Sequence, residues 1–401
     1  MRTKKQIKPM KILFLYDFPL WGSGSGEWLR QTIKELLKLN HKIGIIAPEE
    51  RRFLEDKIKQ YKVSLPQIPV YIGHPELKGA KRYSELSERE ITGVYKSYLD
   101  TTIEAVANFK PDILHVHHLF LITWVARYIN SLSGIKYLIL SHGSDLYSLD
   151  ADKRYFPLTK DAVNSAKGIV ANSGFTRKEL IKAFGKEISK KLAVIPGGVD
   201  IKDYPNNMDT TLVDEKYNLK DKRVVLFTGR LISHKGVKYL VKAAKEIKGE
   251  VILIGEGPEK QYLKEFVEKK GLKNVRLLGY LLPEELSKFY YRADVFVAPS
   301  VWDEPFGLTI LEAMASKTPV ITTPRGGIPM LVKSGYNGIF VKARNSKKIA
   351  EACNKLLEND ELRKKMGENA REIVEKKFTW KIVAKKFDRL YKEAVKNNRV
   401  R

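Results

Sequence analysis

The chain has 401 residues, 43% hydrophobic and 30% charged, and 73 Lys+Arg against 47 Asp+Glu leave a formal net charge of +26. Those proportions exclude a disordered chain and supply enough core for two domains of ordinary size. The single cysteine, Cys353, excludes an internal disulfide and fits a reducing compartment, and no apolar run is long enough to span a bilayer, so a cytoplasmic location is expected.

After the basic start MRTKKQIK, with no apolar leader behind it, short apolar runs alternate with helical stretches. KILFLY (11–16), KIGIIA (42–47), DILHVH (112–117), KYLILS (136–141), GIVANS (168–173) and KLAVIP (191–196) predict buried strands of a parallel sheet. EWLRQTIKELLKL (27–39) predicts a helix between the first two. RRFLEDKIKQYK (51–62) sets Phe53, Leu54, Ile58 and Tyr61 against five cations, which predicts a surface helix, either an ordinary one or one that docks on an anionic membrane. The alternation stops over 197–222, a polar stretch rich in Gly, Pro and Asn, and resumes with RVVLFTG (223–229). EVILIG (250–255), VRLLG (275–279), DVFVAP (294–299), TPVITT (318–323) and NGIFV (337–341) continue it. Two α/β domains follow, 1–200 and 201–378, with a linker at about 200–220. The final segment, 378–398, is helical by spacing, with Trp380, Val383, Phe387, Leu390 and Tyr391 on one core-covering stripe.

Open parallel sheets bind ligands off the carboxyl ends of their strands, so the residues after each strand carry the argument. GRLISHKGV (229–237) places Arg230 and Lys235 there, a fork and a point charge suited to several phosphate oxygens, or else two solvated cations. EPFGLTILEAM (304–314) puts Glu304 before a Pro-Phe-Gly turn whose amides at Phe306, Gly307 and Leu308 open a helix that favours anions. Glu312 falls among Leu308, Leu311 and Ala315, where a buried acid needs a polar partner; the paired hydroxyls of a ribose would serve. TPRGGIPML (323–331) either wraps a ligand through its backbone or forms a tight turn. PLWGSGSGEW (19–28) has glycines, among them Gly24, whose amides suit a phosphate or sugar, but the spacing is no dinucleotide fingerprint. His115, His117, His118, His142 and Asp145 reach strand ends; with no Cys and no helical His pair a metal site is disfavoured. His142, followed by Gly143 and near Asp145, is the better functional candidate.

The excess of cations points to acidic lipid, phosphorylated substrates or nucleic acid, or to the Lys/Glu-rich surface of a heat-adapted protein with only five Gln. A basic membrane- or nucleic-acid-binding module would bind polyanions whether or not Glu304 and Glu312 are present.

Taken in order, SHGSD, ANSGFTRKEL, VIPGGVD, GRLISHKGV, GEGPE and the E-x7-E motif from Glu304 to Glu312 resemble the family 4 retaining glycosyltransferases, of the glycosyltransferase group 1 family and the two-domain GT-B fold. The resemblance spans essentially the whole chain. It implies two Rossmann-like domains facing across a cleft, the C-terminal one binding a nucleotide-sugar donor, and a final helix, 379–401, crossing back to the N-terminal one. It implies Arg230 and Lys235 at the donor diphosphate and Glu312 at the ribose. Glu304 with the Phe306, Gly307 and Leu308 amides would hold the sugar and its phosphate, and Gly24 would also meet the donor. His142 would lie near the transferred sugar, and Asp145 near it or the acceptor. The implied activity is a hexosyl transfer to an acceptor hydroxyl without metal or other cofactor and without a nucleic-acid partner, with an epimerase or phosphorylase of the same fold as the alternative. Where the family often has Gly-Gly and a His at the first helix, this chain has Ser23-Gly24 and Trp28.

Overall fold

The computed structural model describes residues 9–71, 77 and 79–396. The basic start 1–8 and the last five residues of the expected crossing segment lie outside them. Contacts divide the chain into two units, Met1–Pro196 with Trp380–Arg401, and Gly197–Thr379.

The first unit is built on a parallel sheet of β1 (Lys11–Leu15), β2 (Lys42–Ala47), β3 (Ile58–Lys62), β4 (Ile113–His117), β5 (Lys136–Ser141), β6 (Gly168–Ala171) and β7 (Leu192–Val194). Their spatial order is β3-β2-β1-β4-β5-β6-β7. The inner strands read as unbroken apolar runs because helices cover both faces, so neither side of the strand meets water. Chain order reverses between β1 and β4, which opens a crevice beyond their carboxyl ends.

The helix Trp380–Lys396 belongs to this unit and packs on the helix Gly24–Lys38. Trp28 meets Phe387 and Trp380 edge-on, with ring centroids 5.1 and 5.9 Å apart. Trp380, Val383, Phe387 and Tyr391 are buried as the spacing predicts, while Leu390 is only half-buried. Each fully buried aromatic of that stripe contributes about 1.5–3 kcal/mol. Two polar contacts fix the helix in register: the Tyr391 hydroxyl lies 2.6 Å from His115 Nδ1, and Asp388 lies 3.1 Å from His41 Nε2.

The surface helix expected over 51–62 is absent. Residues 51–57 form bends and a turn, and 58–62 form edge strand β3, paired parallel with β2. Leu54 takes a left-handed φ of 49°, which a helix does not tolerate, and the Lys57 and Ile58 amides close back onto its carbonyl. Phe53 and Ile58 are buried, whereas Lys57, Lys59 and Lys62 stay in solvent, the charged habit of an edge strand that must not recruit another. The docking helix expected at this position does not form, its place being taken by the turn and the edge strand. The stretch 197–222 likewise holds more structure than its composition suggests, a short helix at Thr211–Tyr217.

The second unit repeats the plan with β8 (Val224–Thr228), β9 (Glu250–Ile254), β10 (Val275–Gly279), β11 (Val295–Ala298), β12 (Val320–Thr322) and β13 (Gly338–Phe340). The order β10-β9-β8-β11-β12-β13 puts its reversal between β8 and β11. Alternate residues of β8 enter opposite cores: Val224 and Leu226 join Leu311 and Met314, while Val225 and Phe227 join Leu240 and Cys353.

Candidate active site

At the reversal point of the second unit, the loops leaving β8 and β11 lie against each other. Gly236 makes this possible: its φ is 67°, and a Cβ there would stand 2.2 Å from the Pro299 carbonyl oxygen. The Val301 amide donates to the His234 carbonyl at 2.9 Å, and the His234 ring stacks on Trp302 at 5.0 Å.

This packing brings Lys235 and Glu304 together. Lys235 Nζ donates to Glu304 Oε1 at 2.7 Å, and the Ser300 hydroxyl donates to the same oxygen at 2.6 Å. Glu304 is only 5% exposed. Burial pushes its carboxyl up, but Lys235, Ser300 and Trp302 more than offset that and hold it below the usual carboxylate range. Arg230, in the same loop, is half-buried; desolvation lowers its pKa and the charge of Glu304 opposes this, and a guanidinium stays cationic regardless.

Glu304 is gripped from behind by the glycine turn after β12. Gly326, at φ 59°, lies against the backbone of Asp303 and Glu304, and the Gly327 amide donates to the Glu304 carbonyl at 2.7 Å. The Gly326 amide and Arg325 both bind the Asp303 carboxylate. TPRGGIPML is thus a turn that clamps residues 303–304. In front, Gly307 at φ 114° starts the helix Leu308–Ala315, whose first amides have no acceptor within the helix and form its positive end. The Phe306 side chain is buried toward Phe378, so only its backbone faces the loop.

Glu312 is half-buried, less enclosed than its neighbours suggest. Its Oε2 accepts the Tyr290 hydroxyl at 2.5 Å, and that hydroxyl lies 2.6 Å from Thr228 Oγ1 at the end of β8. The acid among Leu308, Ile310 and Leu311 is thus met by a tyrosine of the chain itself.

The first unit gathers a second set. His142 is half-buried, with Nε2 3.2 Å from His117 Nδ1 and its carbonyl held by the Asn172 side chain at 2.9 Å, which explains the asparagine of ANSGFTRKEL. Burial, then His118 and His115, keep His142 well below the usual histidine range, so it is a neutral imidazole at physiological pH. Asp145, expected near the sugar or the acceptor, lies inside the unit. It is fully buried; Oδ1 accepts from Ser141, Gly143 and Leu146, and Oδ2 accepts the Leu119 amide. With both oxygens engaged inside, it holds the 141–146 turn that carries His142. Gly24 is exposed as the first residue of its helix, behind the cap Ser23. Trp28 fills the inner face of that helix, its ring 5.2 Å from His117 and 5.8 Å from His142.

The sequence reading missed Asp17. Its carboxylate lies 2.6 Å from His118 Nδ1 and accepts the Tyr71 hydroxyl at 2.6 Å, with Asp17 and His118 each 1% exposed. Burial opposes the charge on His118, yet Asp17 overrides it and raises the histidine. The available signal was position: Asp17 follows β1 and His118 follows β4, the two strands at the reversal. Among the described residues no group of three His, Cys, Asp or Glu is arranged to hold a metal ion.

Comparison with known proteins adds an independent line. A family model described as glycosyl transferases group 1 matches residues 209–373, and one described as glycosyltransferase family 4 matches 22–203. An uncharacterized glycosyltransferase of Methanocaldococcus jannaschii is 31% identical over 284 residues, 70% of this chain and 75% of that protein. Among solved structures, sucrose-phosphate synthase from Thermosynechococcus elongatus superposes with a TM-score of 0.80 at 21% identity, over 97% of this chain and all of the other. HepE from Anabaena, in complex with UDP-glucose, gives 0.74 at 21% identity over 96% of this chain and 100% of its own.

Proposed function

The chain belongs to the group 1, family 4 glycosyltransferases, nucleotide-sugar-dependent enzymes of GT-B fold, and we propose that it moves a hexose from a nucleoside diphosphate to an acceptor hydroxyl with retention of configuration. The observation that carries the reading is the Lys235–Glu304–Ser300 cluster at the reversal point of the second sheet, with Arg230 in the same loop and the helix start at Leu308 beside it.

The proposed step breaks the bond from the anomeric carbon to the β-phosphate oxygen and forms a bond from that carbon to the acceptor oxygen on the same face. The acceptor proton passes to the departing phosphate. Negative charge grows on the diphosphate, and Arg230, Lys235 and the amides of Gly307 and Leu308 answer it, in place of a metal. Glu304 Oε1 is committed to Lys235 and Ser300, which favours this route over a covalent intermediate on Glu304. Glu304 instead orients sugar hydroxyls, Glu312 accepts from the ribose beside Tyr290, and His142 donates to the transferred sugar as a neutral ring.

The test is a thermal-shift panel of UDP-, GDP- and ADP-sugars, because a ligand that binds only the folded state stabilises it by about 2.7 kcal/mol at a hundredfold excess over Kd. One base class is expected to raise Tm by about 5–10 °C. UDP-sugars lead the panel because HepE binds UDP-glucose. Glu312→Ala should lose most of that shift, and a full shift in the variant removes Glu312 from the site. Sugar epimerised with no acceptor present, or turnover that requires free phosphate, would favour the epimerase or phosphorylase alternative.

We further propose a cytoplasmic enzyme that meets a lipid-linked acceptor at an anionic membrane surface. Among the described residues no helix is long and apolar enough to cross a membrane. With 51–62 folded as a turn and an edge strand, the attraction rests on the +26 charge alone. Cosedimentation with anionic vesicles at low salt, lost as salt rises, is expected; equal binding to neutral vesicles overturns it.

A further inference from the structure

We infer that His117 is a positioning residue for His142: it donates from Nδ1 to His142 Nε2, so that His142 carries its own proton on Nδ1 and offers that N–H to a ligand. The surroundings of the ring nitrogens decide this. His117, the last residue of β4, is 0% exposed. Phe14, Tyr16 and Trp28 meet its ring edge-on, with centroids 5.8, 5.9 and 5.2 Å away. The Tyr16 hydroxyl is turned to Ser23 and Ser25, and the neighbouring His115 commits Nδ1 to the Tyr391 hydroxyl.

Among the described residues His117 Nε2 therefore has no hydrogen-bond partner, whereas its Nδ1 lies 3.2 Å from His142 Nε2. A neutral imidazole has one N–H and one lone pair to distribute over its two nitrogens. Either distribution keeps the bond between the rings. A proton on His117 Nε2 would bury an N–H among aromatic rings without an acceptor, and a buried orphan N–H is rarer than a buried orphan acceptor. The proton belongs on Nδ1, where an acceptor waits, and His142 Nε2 supplies the lone pair.

Both rings are neutral, as this requires. Burial, then His115, His142 and His118, hold His117 well below the usual histidine range, and His142 is held low in the same way. The other titratable groups around the pair are Asp17, bound to His118, and Asp145 in the 141–146 turn. The backbone of His142 is fixed without His117, by Asn172 at its carbonyl and by Asp145 at the Gly143 amide. What remains free is the last torsion of the imidazole, whose half-turn exchanges a nitrogen edge for a carbon edge. The bond to His117 fixes that torsion and the tautomer together. With Nε2 engaged, Nδ1–H is the donor left for a ligand, and it suits an uncharged oxygen such as a sugar hydroxyl. That the ligand is the transferred sugar rests on the transferase reading; the tautomer does not.

The experiment labels the imidazole nitrogens of the full chain, without sugar donor, and reads the tautomers from nitrogen–proton NMR correlations at neutral pH, with His142→Gln assigning the His142 signals. His142 is expected as a single form protonated at Nδ1. His117→Phe keeps a ring of similar size and removes the N–H, so it should turn His142 into a mixture of both forms. His117→Asn places an amide N–H near the lost Nδ1 and should restore the single form. With the nucleotide sugar that shifts Tm, kcat should fall about 10²-fold in His117→Phe, the effect of losing one positioned donor, and return to within about 5-fold of native in His117→Asn. A ring that served packing alone would give the reverse order, Phe keeping turnover and Asn losing it, and that order overturns the proposal. So does a native His142 protonated at Nε2 or on both nitrogens, a result that needs no variant to fold. The expected tautomer without turnover of any nucleotide sugar removes the transferase reading and leaves the pairing of His117 with His142 in place.

Discussion

Lys235→Ala is expected to lower kcat/KM by roughly 10²–10³-fold, the usual effect of removing one preorganised donor to developing charge. It should also destabilise the second unit, and the two effects have different origins. Lys235 Nζ is the cation 2.7 Å from Glu304, whose side chain is 7% exposed while that of Lys235 is 26% exposed. Breaking a fully buried pair costs about 3–5 kcal/mol, and solvent at the lysine should reduce this to about 1–3 kcal/mol. The double variant Lys235→Ala with Glu304→Gln removes the stranded charge, so its stability should recover while its turnover stays low. The acid limb gives a third readout. In the native chain the Glu304 carboxyl lies below its ordinary range, so its contribution to stability is present above the unfolded pKa and lost as pH falls through the folded one. Without Lys235, burial dominates and the carboxyl rises above its unfolded value, so protonation favours the folded state and the variant's stability deficit should narrow as pH falls through that raised pKa. Denaturation midpoints between about pH 3 and 7, beside turnover of the donor that shifts Tm, measure all three. Native turnover in the single variant would remove Lys235 from the chemistry.

The sheets were largely legible because their inner strands are unbroken apolar runs, and among the described residues twelve of the thirteen strands coincide with such runs. The exception, β3, shows why the rest is harder. IKQYK buries little on an edge, so its pattern comes from the need to stay charged, and the apolar spacing around it imitates a helix. The site divides in the same way. Residue types after strands were readable: Arg230, Lys235, Glu304 and His142 each stand in a loop beyond a strand. Their partners were not. Lys235 finds Glu304 69 residues away, Glu312 finds Tyr290 on another helix, and His118 finds Asp17 across 101 residues. Those pairings follow from which strands become neighbours at the reversal of chain order, which no local window contains. The partners of Asp145 were hidden for a related reason, since the backbone donors that occupy it appear only when the 141–146 turn closes.

Gly326→Ala should test whether Glu304 acts through its position, because the substitution touches no proposed ligand group. Gly326 has φ 59°, and a Cβ built there stands 2.2 Å from the Glu304 carbonyl oxygen and 2.6 Å from its amide nitrogen. Backbone cannot swing aside as a side chain can, so the 303–304 segment must move and the Gly327–Glu304 bond of 2.7 Å must stretch. A loss of about 3 kcal/mol or more is expected, from left-handed strain of about 1–2 kcal/mol plus the clash. Turnover should fall by about 10²-fold, the effect of misplacing a positioning group by about 1 Å. Gly335→Ala separates the two contributions. Its φ is 82°, and nothing lies within 4 Å of the added Cβ, so it carries the strain without the collision. It should lose about 1–2 kcal/mol and keep its turnover. Chemical denaturation gives the stabilities, and donor turnover at saturating substrate gives the rates. Equal losses in both variants would mean that the glycine turn serves only its own backbone conformation; a gap in both stability and rate ties the clamp on residues 303–304 to the carboxylate it holds.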